Sequence, residues 1–183
     1  MINKKGLLLV VSGPSGTGKG TICKDIVAKH EDINLSISAT TRNPRAGEVE
    51  GKSYFFKTKE EFEAMVDRGE FLEHAMIYDN YYGTPKKAIF DELNMGRDVI
   101  LEIEMQGAMQ IKEVYPQAVF IFVLPPSLQE LRNRIVGRGT ETEEQIEKRF
   151  NSAYDEIKLL GDYDYFIFNN IVEKSAEEIL NIL

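Results

Sequence analysis

Leu7-Leu8-Leu9-Val10-Val11-Ser12-Gly13-Pro14-Ser15-Gly16-Thr17-Gly18-Lys19-Gly20-Thr21 is the stretch on which the reading of the whole chain turns. Its apolar start, Leu7 to Val11, lacks alternation, which suits a strand covered on both faces as in a parallel sheet. The strand runs into GxxxxGK where the chain should turn into a helix. Glycines at these positions permit backbone angles that side chains forbid, so consecutive N–H groups can face phosphate oxygens while the helix N-terminus adds its positive dipole end. Gly13, Pro14, Ser15, Gly16, Thr17, Gly18, Lys19, Gly20 and Thr21 are therefore candidates to cradle ATP phosphates, with Lys19 as a point charge on the outer ones. A glycine-rich turn that binds nothing would require neither the lysine nor its spacing. Gly20 stands where most such loops carry a magnesium-binding hydroxyl, and Thr21 follows one residue later, so the protein ligands of a metal stay unassigned.

Further apolar runs at Val99 to Ile103, Val119 to Leu124 and Tyr165 to Phe168 are separated by segments of helical spacing. Thr58 with Glu61, Ser127 with Glu130 and Thr142 with Gln145 each match a capping box at a helix start. The expected fold is α/β, a P-loop NTPase-type parallel sheet wrapped by helices. One helix, near Lys59 to Arg68, sits in a stretch that breaks the rhythm with short polar and aromatic strands and glycines at 47, 51, 69 and 83. A single domain over 1–183 is expected, with a core at about 1–34 and 85–183, an inserted subdomain at about 35–84 and a lid at about 134–149. The lid reading rests on Gly137-Arg138-Gly139-Thr140, a basic, glycine-flanked turn between two amphipathic helices.

Bulk properties exclude more than they assign. A formal charge of −8 argues against broad adhesion to nucleic acid or anionic membranes, so an anionic ligand has to be held by a local cluster of cations. Cys23 is the only cysteine, which rules out an intrachain disulfide and a multi-cysteine zinc site and fits a reducing cytoplasm. The opening Met1-Ile2-Asn3-Lys4-Lys5 followed by an apolar run has the outline of a secretion signal, but the run meets Gly13-Pro14 early and lacks a small-residue cleavage site. No apolar stretch approaches the roughly 18 residues a membrane span needs. Neither His30, at the end of the first helix, nor His74 has a partner suggestive of a Ser-His-Asp arrangement.

Ser38-Ala39-Thr40-Thr41-Arg42-Asn43-Pro44-Arg45-Ala46-Gly47-Glu48 resembles the hallmark of guanylate kinases. The likeness continues in family order through Gly51-Lys52-Ser53-Tyr54-Phe55-Phe56, Glu70-Phe71-Leu72-Glu73, Asn80-Tyr81-Tyr82-Gly83-Thr84, Leu101-Glu102-Ile103-Glu104-Met105-Gln106-Gly107 and Gly137-Arg138-Gly139-Thr140-Glu141. It implies transfer of the γ-phosphoryl group of ATP to GMP, with Mg²⁺ bridging the donor phosphates. By that resemblance Arg42, Arg45, Tyr54 and Tyr82 hold the GMP phosphate, while Ser38, Glu73, Thr84 and Glu104 surround guanine, with Gly83 and Glu102 nearby. It also implies phosphoryl-stabilising roles for Arg134, Arg138 and Arg149 and a place for Asn169 near the adenine or ribose of ATP. Glu104 stands where the family generally has Asp. Glu102, two residues earlier, is expected on the same face of the same strand.

Residue chemistry agrees on its own terms. Guanine presents N1–H and N2–H₂ donors beside an O6 acceptor, so a carboxylate must meet the donors and a hydroxyl or N–H the acceptor. Glu73 with Ser38 or Thr84 has the right types; adenine would leave a buried carboxylate facing a lone pair. Taken without the family pattern, Arg42 and Arg45 read equally as solvated loop charges, Tyr54 and Tyr82 as half-buried strand aromatics, and the lid arginines as a helix face paired with Glu141, Glu143, Glu144 or Glu147. Two other functions compete: a catalytically silent module offering its cleft to phosphorylated or acidic peptides, against which the intact Lys19 loop speaks, and a kinase for dTMP or AMP, against which Glu73 speaks. Oligomeric state is not legible.

Overall fold

The computed structural model describes residues 5–77, 79–137, 143–158 and 160–183, without the side chains of Gln145 and Arg149. Five strands, β1 (Leu8–Ser12), β2 (Ile33–Leu35), β7 (Asp98–Glu102), β8 (Val119–Leu124) and β9 (Tyr165–Phe168), form one sheet in the order β2-β7-β1-β8-β9. All its pairings are parallel. The parallel α/β sheet expected from the apolar runs is therefore present. The strand read as Leu7 to Val11 lies one residue later, and that read as Val99 to Ile103 begins at Asp98 and ends at Glu102. β2 was not expected as a strand: Ile33-Asn34-Leu35 is too short and too polar to stand out, and it forms because β7 offers it an edge.

Each core strand points alternate side chains to opposite faces. Leu9 and Val11 of β1 meet Ile22 and Ile26 of α1 (Lys19–Lys29) and Ile179 of α7 (Val172–Leu180). Leu8 and Val10 meet Ile89 and Leu93 of α3 (Lys86–Asn94) and Ile111 of α4 (Met105–Val114). Burying such side chains on both faces is worth roughly 1.5–3 kcal/mol each, so β1 is fixed from two sides. The central strand thereby becomes a rigid mount for the loop at its carboxyl end, the place where open parallel sheets bind ligands.

A second sheet has the order β4-β3-β6-β5, built from β3 (Ala39–Thr40), β4 (Phe55–Phe56), β5 (Phe71–Ile77) and β6 (Asn80–Pro85). Its β5–β6 hairpin is antiparallel, with a register irregularity between Phe71 and Glu73. Phe62 of α2 (Lys59–Asp67) is fully buried beneath it, stacked between Phe71 and Tyr81 at ring-centroid distances of 4.4 and 5.3 Å. Thr58 closes the complete capping box with Glu61 that the sequence suggested. At the start of α5 (Leu128–Val136) only half of the second box forms: Ser127 accepts from the Glu130 N–H, while the Glu130 carboxylate turns to Arg134. The third, at Thr142 and Gln145, lies outside the described residues. Leu131 and Ile135 of α5 pack on Ala153 of α6 (Glu143–Ile157) as a small separate core.

Candidate active site

β1 ends at Ser12, and Gly13 passes so close to β8 that a Cβ there would lie 2.4 Å from the Val123 carbonyl oxygen. Gly18, the N-cap of α1, has φ +89° and no side chain caps the helix, so the positive end of its dipole is open to an anion. Lys19 is 7 % exposed and folds back over the loop, its Nζ donating to the carbonyls of Gly13 and Pro14, the latter at 3.2 Å. Those carbonyls keep a buried cation hydrogen-bonded without neutralising it. Asn169 braces the loop: its Nδ2 donates to the Thr17 carbonyl at 2.7 Å and its Oδ1 accepts from Ser175 at 3.2 Å. The polar atoms of its side chain are thus engaged in the loop's own support. Arg134 reaches the same corner, donating to the carbonyls of Thr17 (3.5 Å) and Asn169 (3.3 Å) while paired with Glu130 at 2.8 Å.

Across a cleft of about 1000 Å³ stands the second sheet. That volume lies at the upper end of the range for a small-molecule site. Ser38, Arg45, Tyr54, Glu73 and Tyr82 line this wall and Ser15, Gly16, Gly18, Lys19, Gly20 and Thr21 the other. Arg42 is held from three directions. Its fork donates to both carboxylate oxygens of Glu48 at 2.8 and 3.0 Å, its Nε to the Tyr82 hydroxyl at 3.3 Å, and its guanidinium lies 5.4 Å from the Tyr54 ring centre. The Arg42 guanidinium holds the Glu48 carboxyl below the usual carboxylate range, with help from the Arg45 N–H at 2.7 Å. Of the readings left open, the solvated loop charge fits Arg42 least, since only 14 % of its side chain is exposed. Burial raises the Tyr54 hydroxyl, and the neighbouring Tyr82 adds to it.

Glu73 and Thr84 face each other in the hairpin register. Glu73 is 7 % exposed and Thr84 wholly buried, and the Thr84 hydroxyl donates to Glu73 Oε1 at 2.5 Å. Burial pushes the Glu73 carboxyl up, against the Thr84 hydrogen bonds that pull it down. Gly83 plays a packing part: a Cβ on it would stand 2.9 Å from Phe71 and 3.0 Å from Phe62. Glu102 ends β7 and Glu104 is the N-cap of α4, so the expected shared strand face is corrected, because β7 stops before Ile103 and the chain turns into the helix. Both nevertheless line the cleft. The surrounding protein raises the Glu102 carboxyl although the residue opens onto the cleft, and Lys19 and Lys24 pull it back down.

Two charged cleft residues carried no sequence signal. Lys24 lies one turn beyond the loop motif, and Glu156 arrives from α6, far along the chain, with Ser152 donating to its Oε1 at 3.2 Å and its buried Oε2 unpartnered among the described residues. Arg138, with Gly139, Thr140 and Glu141, and the side chain of Arg149 lie outside the described residues. No helix among the described residues is long and apolar enough to cross a membrane.

A phosphate loop on the central strand of a parallel sheet, opposed across one cleft by a second sheet that carries Arg45 and a buried carboxylate, defines the class: a P-loop phosphotransferase. Comparison with known proteins narrows it. The guanylate kinase family model matches residues 5–183. The guanylate kinase of Clostridioides difficile (strain 630) is 68% identical over 183 residues, spanning 100% of this chain and 89% of that protein. That of Caldanaerobacter subterraneus subsp. tengcongensis is 57% identical over 182 residues, covering 100% and 88%. The crystal structure of guanylate kinase from Anaplasma phagocytophilum superposes with a TM-score of 0.81 at 37% identity, covering 98% of this chain and 85% of that one. A shikimate kinase from Bacteroides thetaiotaomicron, at 13% identity and TM-score 0.53 over 96% of this chain and 97% of that one, shares the fold alone. The chain belongs to the guanylate kinase family.

Proposed function

We infer that this protein transfers the γ-phosphoryl group of ATP to GMP, giving ADP and GDP. The observation that carries the reading is the single cleft shared by the Lys19 loop and the Glu73 wall. Phosphoryl transfer brings two anions together and spreads charge over the moving group, so fixed cations do most of the work. Lys19 meets the outer phosphates of ATP, Arg134 flanks them from α5, and Arg42, its guanidinium held in place by Glu48, binds the GMP phosphate with Arg45, Tyr54 and Tyr82. Arg138 and Arg149 join from the lid at about 134–149. No general base is needed, because the second phosphate pKa of about 6 leaves GMP largely dianionic at neutral pH.

Glu73 accepts from guanine N1–H and N2–H₂, with Thr84 setting the carboxylate and Ser38 and Glu104 completing the base pocket. Glu102 fits Mg²⁺: its carboxylate lies 3.0 Å from where a Cβ on Gly20 would stand, so a hard oxygen donor takes the space a loop hydroxyl would use. When bound, the ion neutralises charge across the donor phosphates. Closure of the inserted unit at about 35–84 over the core at about 1–34 and 85–183 excludes water and so limits futile ATP hydrolysis. A cytoplasmic setting suits the lone Cys23, and the formal charge of −8 argues against broad adhesion to nucleic acid or anionic membranes. A coupled ADP-release assay over GMP, AMP, dTMP and CMP, with and without EDTA, tests this. Turnover confined to GMP and abolished by EDTA is expected; preferred turnover of another nucleotide, or none with GMP, refutes it.

A further inference from the structure

We propose that Gly107, in the first turn of α4, is a specificity-determining residue, because its missing side chain leaves the slot in which the guanine-reading carboxylate is seated. This rests on the guanylate kinase reading of Glu73 given above. A Cβ built on Gly107 would lie 2.5 Å from Glu73 Oε2, 2.9 Å from its Cδ and 3.4 Å from its Cγ. The first two separations are closer than real Cβ atoms approach, so one partner has to move. α4 is held on the core sheet by Ala108 and Ile111, both fully buried. The Glu73 carboxylate, by contrast, is the far end of a flexible side chain, so it is the part that yields.

The geometry at Glu73 has little slack. Oε1 is fixed by the Thr84 hydroxyl at 2.5 Å, and Oε2 is packed against Gly107. A methyl group at 107 drives Oε2 toward the cleft and pulls the carboxylate off the Thr84 hydroxyl. A hydrogen bond displaced by an ångström is lost, whereas the fold is not: Gly107 sits within a helix, where alanine is intrinsically preferred. Gly107 lines the cleft but offers it no side chain; it acts through Glu73, and the consequence falls on the base and not on phosphate chemistry.

The test is Gly107→Ala, with Glu73→Gln measured beside it and IMP, which lacks the 2-amino donor, as a second acceptor. Gly107→Ala is expected to raise KM for GMP at least tenfold, leave KM for ATP and kcat within about threefold, leave Tm unchanged or higher, and shrink the preference for GMP over IMP. A KM for GMP within twofold of wild type overturns the proposal, as does a rise in both KM values with a fallen Tm, which marks a merely structural role. Loss in Glu73→Gln with none in Gly107→Ala leaves the Glu73 reading standing and removes Gly107. Neutrality of both removes the Glu73 reading itself.

Discussion

Replacing Glu73 by Gln changes one atom at the base of the acceptor wall, and the surrounding hydrogen bonds dictate which way the new amide points. Thr84 donates to Oε1 at 2.5 Å, so the carbonyl oxygen of Gln stays there and the NH₂ takes the place of Oε2. The half of the side chain that should meet guanine turns from acceptor to donor and faces the N1–H and N2–H₂ donors of the base. A hydrogen bond to a charged group is worth about 1.5–3 kcal/mol, and a buried donor facing a donor adds an unsatisfied-group cost of about 1–3 kcal/mol. At about 1.4 kcal/mol per decade, the sum predicts a fall in kcat/KM for GMP of roughly 10²- to 10⁴-fold. Steady-state ADP release at saturating ATP measures it. KM for ATP should stay within twofold, and the preference for GMP over AMP should narrow because adenine N1 accepts where the amide donates. Tm should hold or rise, since the variant no longer buries an ionisable carboxyl whose charged form is disfavoured there. A kcat/KM for GMP within threefold of wild type would take Glu73 out of base recognition.

Lys19→Met keeps the buried stem and removes the charge; kcat should fall about 10²- to 10³-fold, read by single-turnover transfer, and an unchanged kcat would take Lys19 out of the chemistry. Asn169→Ala strips the loop of the bonds to Thr17 and Ser175, at a cost of about 2 kcal/mol, which for a chain of this size lowers Tm by roughly 4–8 °C in a thermal melt. Acidification gives a signed test at Glu73. Its folded carboxyl is raised above the ordinary 4.5, so the folded state binds the proton first and this group's contribution to stability rises as pH falls through the window above 4.5, opposite to a salt-bridged carboxylate. Across the same window guanosine, which carries no titrating phosphate, should bind more weakly to wild type and with no such trend to Glu73→Gln. Glu48 behaves in the reverse sense: Arg42 lowers its carboxyl, so the contribution of that pair is complete above 4.5 and is lost as pH falls below it, which a comparison of Tm against pH for wild type and Glu48→Gln detects.

The sequence by itself determined what is local. Leu7 to Val11 is apolar without alternation, so it had to be an inner strand, and the spacing of Gly13, Gly18 and Lys19 behind it defines a phosphate loop wherever it occurs. Thr58 with Glu61 set a helix start for the same reason, since both partners lie within one turn. Tertiary structure alone decided what depends on distant neighbours. Ile33 to Leu35 became a strand because β7 lay beside it, and Glu104 became a helix N-cap because β7 stopped early. Asn169 reaches Thr17 across 152 positions of chain, and Glu156 enters the cleft from α6. Gly107 meets Glu73 only because α4 packs against the second sheet. Periodicity and spacing report which groups share a turn or a face; which carboxylate rests against which glycine is fixed only once close packing brings remote segments to within an atom's width of each other.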